Sequence, residues 1–427
     1  MSPTFSEPVW ISPARAYTFD AKIDADEAVD LAVIGGGLQG LSTAFHAASA
    51  GLKVRVVEAK QIGSGASGLN GGQVIPGLKY DPEWLIQHFG EERGGKLTDF
   101  VASVADFTFG LIEREGLDVQ HNRSGWIQAC HTAEAIRRAE ERHRQWSAMG
   151  ADAQLLNDAD IALMTGANGY VGGWLDRRAG VVNPLALTME LARLACQSGV
   201  RILEGKAATR LRSSLGEWQV ELADGSTLKA KKVLVATNAY SSDLVPGLAQ
   251  SLVTLHSFQI ATAPLPADLS DAILPHDQAV SDSRRILVYY RKSPDGRLVL
   301  GGRGRMGHPK GPQDWAHLHR AMLRLYPALE GVAIAKRWYG RVAMTPDHLP
   351  HLHEPEPGLM MMAGCQGRGV ALMTAIGAPL AAYVQSSDKG RLPFPVSPIR
   401  PIPFHRFRKL GVTALITWYR MLDSFDR

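Results

Sequence analysis

Between residues 29 and 58 the chain carries a pattern that few folds accommodate. An apolar, β-branched run, VDLAVI at 29–34, breaks at glycine, and Gly35, Gly37 and Gly40 complete G-x-G-x-x-G. Residues 38–50 continue as a helix rich in small side chains, and a second short strand at 53–57 ends in Glu58. An uninterrupted apolar run of this kind reads as a buried parallel strand. Each glycine then has a mechanical task. Gly35 makes a tight turn, Gly37 lets the backbone approach a pyrophosphate, and Gly40 lets the helix pack closely on the strand. The helix start at Leu38 and Gln39 offers free N–H groups and the positive end of the dipole. Glu58, about 20 residues beyond the last glycine, is placed to accept hydrogen bonds from ribose hydroxyls. With Ala59 beside it, this acid argues against a 2′-phosphate and hence against NADP. Together these parts predict a dinucleotide cradle.

A second glycine cluster follows at once, in QIGSGASGLNGGQVIPG, with glycines at 63, 65, 68, 71, 72 and 77. So many glycines exclude a regular helix or strand. The interleaved Leu69, Val74 and Ile75 make a surface loop a poor reading. The segment is expected to bring backbone close to something flat or charged. The stretch DLAVIGGGLQGLSTAFHAASAGLKVRVVEAKQIGSGASGLNGGQ resembles the N-terminal FAD signature of the D-amino-acid oxidase / glycine oxidase / sarcosine oxidase family of flavoproteins, nearest to its γ-glutamylputrescine oxidase branch. The resemblance runs almost end to end, through W-x-G near Trp338 and the glycines near Gly364.

This resemblance implies FAD, with Gly65, Ala66, Ser67, Asn70, Gly71, Gly72 and Gln73 against the isoalloxazine and Ala207 or Ala208 near the adenine. Gly364, Gly367, Arg368 and Gly369 would sit at the flavin's pyrimidine end, where a second helix start and a cation suit negative charge. Covalent flavin in relatives uses a cysteine or histidine, and Cys365 does not match that position, so the FAD is expected to be non-covalent.

The remainder is read as follows. Residues 82–149 are mostly helical, 180–199 is a turn and a helix, and 252–263, 285–292 and 297–302 are antiparallel strands with a hairpin at Asp295-Gly296. The expected class is α/β: an FAD-binding Rossmann-like domain of the glutathione-reductase type, interleaved with an α+β substrate domain on an antiparallel sheet. The first would take 29–81, 170–250 and 355–390, and the second 82–169 and 251–354. Residues 391–427 would form a basic, proline-rich arm ending in a short helix.

The chemistry follows from FAD, which accepts hydride from a carbon bearing nitrogen. The candidates for substrate handling are His256, on a strand expected to face the flavin, Tyr290, Arg303 and Arg341. Tyr289, Tyr290, Trp338 and Tyr339 could form an aromatic cage for an amine. Amino-acid-specific relatives carry W-x-G-x-R-P-x-T-P-D. Here the run is WYGRVAMTPD, with Arg341 one position early and Val342 in the expected place. On a strand a one-residue shift turns a side chain to the other face. Arg291 and Arg303 are alternatives for gripping a carboxylate. The reading favours a secondary or cyclic amino acid such as pipecolate, over a γ-glutamylated polyamine or a dehydrogenase serving a membrane quinone. Molecular oxygen or a quinone would be the electron acceptor.

Composition narrows the rest. A net charge of +4 makes no case for nucleic acid. Three scattered cysteines (Cys130, Cys196, Cys365) fit a reducing compartment and support neither disulfides nor zinc. No metal is expected at His348, His351 and His353, which lie in a proline-rich stretch. With no apolar signal region and no bilayer-length run read from the sequence, the expected location is cytoplasmic. Membrane attachment through the basic arm is the less favoured alternative.

Overall fold

The computed structural model describes residues 7–11, 19, 28–214, 216–409, 411–413, 416, 418 and 419. Its first sheet is built on five parallel strands, in the order Arg201–Leu203, Val54–Val57, Ala28–Ile34, Thr227–Val235 and Leu359–Ala363. The central Ala28–Ile34 strand buries Leu31, Ala32 and Val33 completely, which is why its sequence shows no polar alternation. Ala208–Ser214 and Glu217–Leu222 extend the sheet as an antiparallel meander, and His351–Glu356 adds an antiparallel edge. The Leu38–Ser49 helix crosses Gly377–Ser386 so closely that a Cβ on Gly377 would lie 2.3 Å from Ser42 Oγ.

The second sheet runs Ile334–Met344, Val253–Thr262, Leu298–Arg303, Val288–Lys292, Ala279–Asp282, Trp126–Cys130, Gly172–Asp176 and Ala153–Leu156. It is antiparallel except where Ala279–Asp282 pairs with Trp126–Cys130. The helix Ala316–Leu325 covers one of its faces, burying Leu318, Met322 and Leu325 with Phe258 and Tyr290.

Several expectations change here. The strand Trp126–Cys130 lies within a stretch read as helical. Gly172–Asp176, expected in the first unit, pairs in the second sheet, and the edge strand His351–Glu356 crosses the expected boundary at 354. The glycine-rich loop holds one helical turn, Ala66–Leu69, started by extended Gly65. The apolar stretch Gly369–Ser386 is long enough to span a bilayer, yet it is 67% buried within the protein. Of the C-terminal arm, Val396 bridges Leu352, Ser397 N–H donates to Leu352 O at 2.8 Å and the His405 ring nitrogen bonds Leu252 O at 2.8 Å. Much of the expected terminal helix lies outside the described residues.

Two glycines offer a paired test. A Cβ on Gly40 would meet Gly35 O at 2.1 Å and Val33 Cγ1 at 3.0 Å, whereas Gly110, inside the Glu91–Arg114 helix, has open space around it. Gly40→Ala should lower stability by about 2 kcal/mol or more, and Gly110→Ala should raise it by about 0.5–1 kcal/mol. Opposite shifts in thermal melting are expected; a Gly40→Ala protein melting with the wild type would contradict the close helix–strand contact.

Candidate active site

At the cradle Gly35 has φ +112, and a Cβ there would lie 2.9 Å from Ala236 O, so only glycine turns the chain. Glu58 binds its own turn: one carboxylate oxygen accepts Gly36 N–H at 2.8 Å and the other Lys60 N–H at 2.9 Å. Each oxygen keeps a free lone pair for a hydroxyl donor. Leu38 N–H donates to Ser67 Oγ at 3.0 Å, tying the cradle to the second glycine cluster. Gln39 is 4% exposed, and neither its amide oxygen nor its amide nitrogen has a partner. Buried polar atoms in this state fit a ligand that supplies the missing bonds. Ala59 is exposed beside Glu58, and Ala207 follows Lys206, whose N–H donates to Glu58 O at 2.8 Å.

The loop from Ala66 to Gly72 is held from behind by side chains. Asn70 Nδ2 donates to Ala66 O and Ser67 O, and its Oδ1 accepts Gly72 N–H at 2.7 Å. Leu69 O accepts from both Gln259 Nε2 (2.6 Å) and Trp338 Nε1 (2.9 Å). Asn70 O accepts from Trp10 Nε1 at 2.9 Å, and Arg291 lies against the carbonyls of Gly71 and Gly72. In the surrounding walls the buried side-chain oxygens Gln259 Oε1 and Gln366 Oε1 have no partner, and like Gln39 they fit a bound ligand.

A cavity of about 290 Å³ opens between this loop, the second sheet and the 366–370 turn. Strand alternation decides what faces it. Ser257 pairs with Gly340 and Gln259 with Trp338, and this face looks onto Leu69. His256 pairs with Arg341 and therefore lies on the opposite face, a correction to its expected role. Its ring sits 5.5 Å from that of His308 and 5.6 Å from that of Tyr339, and burial pulls its pKa down to about 4. Arg341 contributes to the cavity wall, but its guanidinium is stacked 5.0 Å from the Tyr240 ring centroid.

Tyr290 is also corrected. It is fully buried in the core of the second sheet, its hydroxyl 3.4 Å from that of Tyr170. The neighbouring Tyr289 is the residue that lines the cavity, its hydroxyl 2.8 Å from Ser257 Oγ. Gly301 makes room for that ring, since a Cβ there would lie 2.2 Å from Tyr289 Cζ. Of the expected cage only Tyr289 lines the cavity, for Trp338 braces the loop and Tyr339 faces His308. Arg303 pairs with Ser257, but its guanidinium reaches Met306 Sδ at 3.8 Å, away from the wall.

Gly364 (φ +82) and Gly367 (φ +79) form the turn before the Gly369–Ala375 helix, and Gly364 N–H donates to Asn238 Oδ1 at 3.0 Å. Arg368 is the N-cap of that helix, and its guanidinium reaches toward the second sheet. It lies 5.2 Å over Trp126, donates to Pro76 O at 2.9 Å and lines the cavity. No carboxylate is paired with it among the described residues. Asp81 and Asp176, whose charges it feels, are bonded to Arg142 (2.8 Å) and Arg178 (2.7 Å). Gln73 bridges the loop to the second sheet, its Nε2 3.3 Å from Val280 O. Trp10, Trp126, Ser257 and Gln259 are not singled out by the sequence reading, which names Tyr289 as a member of the aromatic cage. Period-2 alternation from Trp338 and Gly340 could have found Ser257 and Gln259.

The family model described as FAD dependent oxidoreductase (DAO) matches residues 30–383. The chain belongs to this family. It is 31% identical to the γ-glutamylputrescine oxidoreductase of Escherichia coli (strain K12), over 92% of each chain. It is 30% identical to the probable oxidoreductase OrdL of Rhizobium meliloti (strain 1021), over 93% of this chain and 92% of that one. In structure it is similar to glycine oxidase from Geobacillus kaustophilus, with TM-score 0.71 and 22% identity over 88% of this chain and 99% of that one. The protein is an FAD-dependent oxidoreductase of amines or amino acids, as its family membership establishes.

His256 and His46, both held neutral by burial with pKa values near 4, make stability depend on acid. Unfolded histidine binds a proton near pH 6.5, so the unfolded state takes up more protons below that pH. Stability is therefore full above about pH 6.5 and falls toward pH 4. His256→Gln should make this loss shallower by about one proton and leave FAD binding intact. An unchanged acid dependence in equilibrium unfolding would contradict a neutral buried His256.

Proposed function

We propose that this chain oxidises an amine carrying a carboxylate at some distance from the reacting nitrogen, of the γ-glutamylputrescine kind, and uses dioxygen as acceptor. The observation that carries the reading is the disposition of the arginines. A carboxylate next to the amine was favoured because the second sheet is rich in arginine, but those side chains are engaged elsewhere. Arg291 lies behind the loop, Arg303 points away from the wall, Arg284 pairs with Asp282 at 3.0 Å and Arg297 with Asp295 at 2.5 Å. Arg341 and Arg368 both line the cavity without a carboxylate partner among the described residues; Arg341 is stacked on Tyr240, and we assign the substrate carboxylate to Arg368, stacked on Trp126 with Gln128 nearby. The full-length likeness to γ-glutamylputrescine oxidoreductase supports the same substrate class.

In this reading the parallel sheet is the Rossmann-like FAD domain. Gly35, Gly37, Leu38, Gln39, Gly40 and Glu58 hold the dinucleotide, and the 66–72 loop with the 364–369 turn flanks the flavin. The FAD is held non-covalently, in keeping with a cavity wall that contains neither cysteine nor histidine among the described residues. Bound FAD supplies the two-electron acceptor. On the sheet face of the cavity Ser257 and Tyr289 share a 2.8 Å hydrogen bond and stay neutral, burial pushing the Tyr289 phenol up to about 12, while Arg341 and Arg368 add positive charge to the wall and Asp282 is paired with Arg284. Such a site solvates an uncharged amine and does not stabilise ammonium. The substrate loses one C–H and one N–H hydrogen with two electrons, becoming an imine. Dioxygen takes up the two electrons and two protons and leaves as hydrogen peroxide.

Arg368→Gln should raise KM about 10- to 100-fold for γ-glutamylputrescine, the worth of a charge-assisted contact, and leave KM for putrescine nearly unchanged. Peroxide should accumulate in air. Equal effects on both substrates would remove Arg368 from recognition, and substrate-dependent flavin reduction without peroxide would replace the oxidase with a dehydrogenase.

A further inference from the structure

Arg291 is a cation in a place where cations are costly. Its residue is 4% exposed, and each of its hydrogen bonds goes to a neutral carbonyl. Nε donates to Lys292 O at 2.9 Å, and Nη1 to Val182 O at 2.7 Å with longer contacts to Gly72 O (3.4 Å) and Gly71 O (3.5 Å). Its plane lies 5.3 Å over the Trp10 ring. No carboxylate pairs with it among the described residues. Asp277, the acid whose charge reaches it, is bonded to Lys292 at 3.1 Å. A buried charge without a counter-ion is destabilising, so a methionine or leucine would pack this site at lower energy.

What lies opposite the guanidinium explains its retention. Gly71 forms the cavity wall, and Arg291 touches that residue's carbonyl from behind, one backbone layer away from the cavity. Gly72 makes the approach possible, since a Cβ there would stand 2.6 Å from Arg291 Nη1. The cation is buried and lies over the Trp10 ring, a low-dielectric surrounding that preserves its field. Burial pulls its pKa down to about 9, still well above neutral pH. Electrons delivered to FAD place negative charge in the cavity, and a fixed cation behind the wall stabilises that charge with no reorganisation.

We propose that Arg291, seated on Trp10, is the electrostatic element that raises the reduction potential of the bound flavin by offering a counter-charge through the Gly71–Gly72 backbone. It touches neither substrate nor the reacting atoms and is a positioning residue of the electrostatic kind. The proposal rests on the FAD reading but not on the identity of the amine, so its test uses no substrate.

Sulfite adds to oxidised flavin and leaves it negatively charged, and its dissociation constant is read from bleaching of the flavin absorbance. In the FAD-loaded enzyme, Arg291→Met and Arg291→Gln should each raise that constant tenfold or more. For a two-electron couple this corresponds to about 30 mV of lowered potential per decade, to be checked by dye-linked reductive titration. Arg291→Lys should stay within about threefold of the wild type because it keeps the charge and alters the hydrogen bonds. If the methionine variant fails to take up FAD, the glutamine and lysine variants decide the matter. Wild-type sulfite affinity in the glutamine variant would overturn the proposal. So would an equal loss in the lysine and glutamine variants, which would make the hydrogen bonds, and not the charge, responsible.

Discussion

The site depends on seven residues of backbone, from Ala66 to Gly72, lying in the protein interior beside a cavity without being part of a sheet. Buried peptide groups must be hydrogen-bonded, and a neighbouring strand meets this loop at its end, where Val182 N–H donates to Gly72 O at 2.8 Å. Elsewhere along the loop side chains supply the bonds: Asn70 from within it, Trp338 and Gln259 from the second sheet, and Trp10 and Arg291 from behind. Glycine is required where these groups close in. A Cβ on Gly68 would lie 2.1 Å from Gly63 O, and one on Gly71 2.9 Å from Tyr289 Cε2. The glycine excess and the polar residues around it are thus two halves of one arrangement.

The same contacts join the two sheets. Leu69 O is bonded by residues of Val253–Thr262 and Ile334–Met344 at once, so the register between those strands places the loop and shapes the cavity. A slip of one residue would exchange Ser257 and Gln259 for His256 and Phe258, replacing neutral hydrogen-bonding groups by an imidazole and a phenyl ring. This register also sets Arg341 opposite His256, at the edge of the cavity wall, where its guanidinium stacks on Tyr240.

The legibility of these features from sequence followed the range of the interaction involved. The cradle could be read because strand, turn, helix and acid are contiguous and each has a local cause. The Asp295-Gly296 hairpin was visible for the same reason. Faces were less legible. His256 was placed on the cavity side because its strand was right but its alternation was not anchored to a known partner. Tyr290 was chosen over Tyr289, although Gly301 across the sheet leaves room for only the latter's ring to turn inward. The Trp126–Cys130 strand was hidden between two helices and depends on partners far along the chain. Trp10 carries no pattern at all, and its role exists only once residues 70, 291 and 338 surround it.

The central claim is that this cavity accepts an amine whose carboxylate lies far from the oxidised carbon. The most direct measurement is anaerobic mixing of the FAD-loaded enzyme with γ-glutamylputrescine and, separately, with pipecolate, following the loss of flavin absorbance. The account predicts complete bleaching by γ-glutamylputrescine at micromolar to millimolar concentration and slow or negligible bleaching by pipecolate. Rapid reduction by pipecolate with none by γ-glutamylputrescine would contradict it.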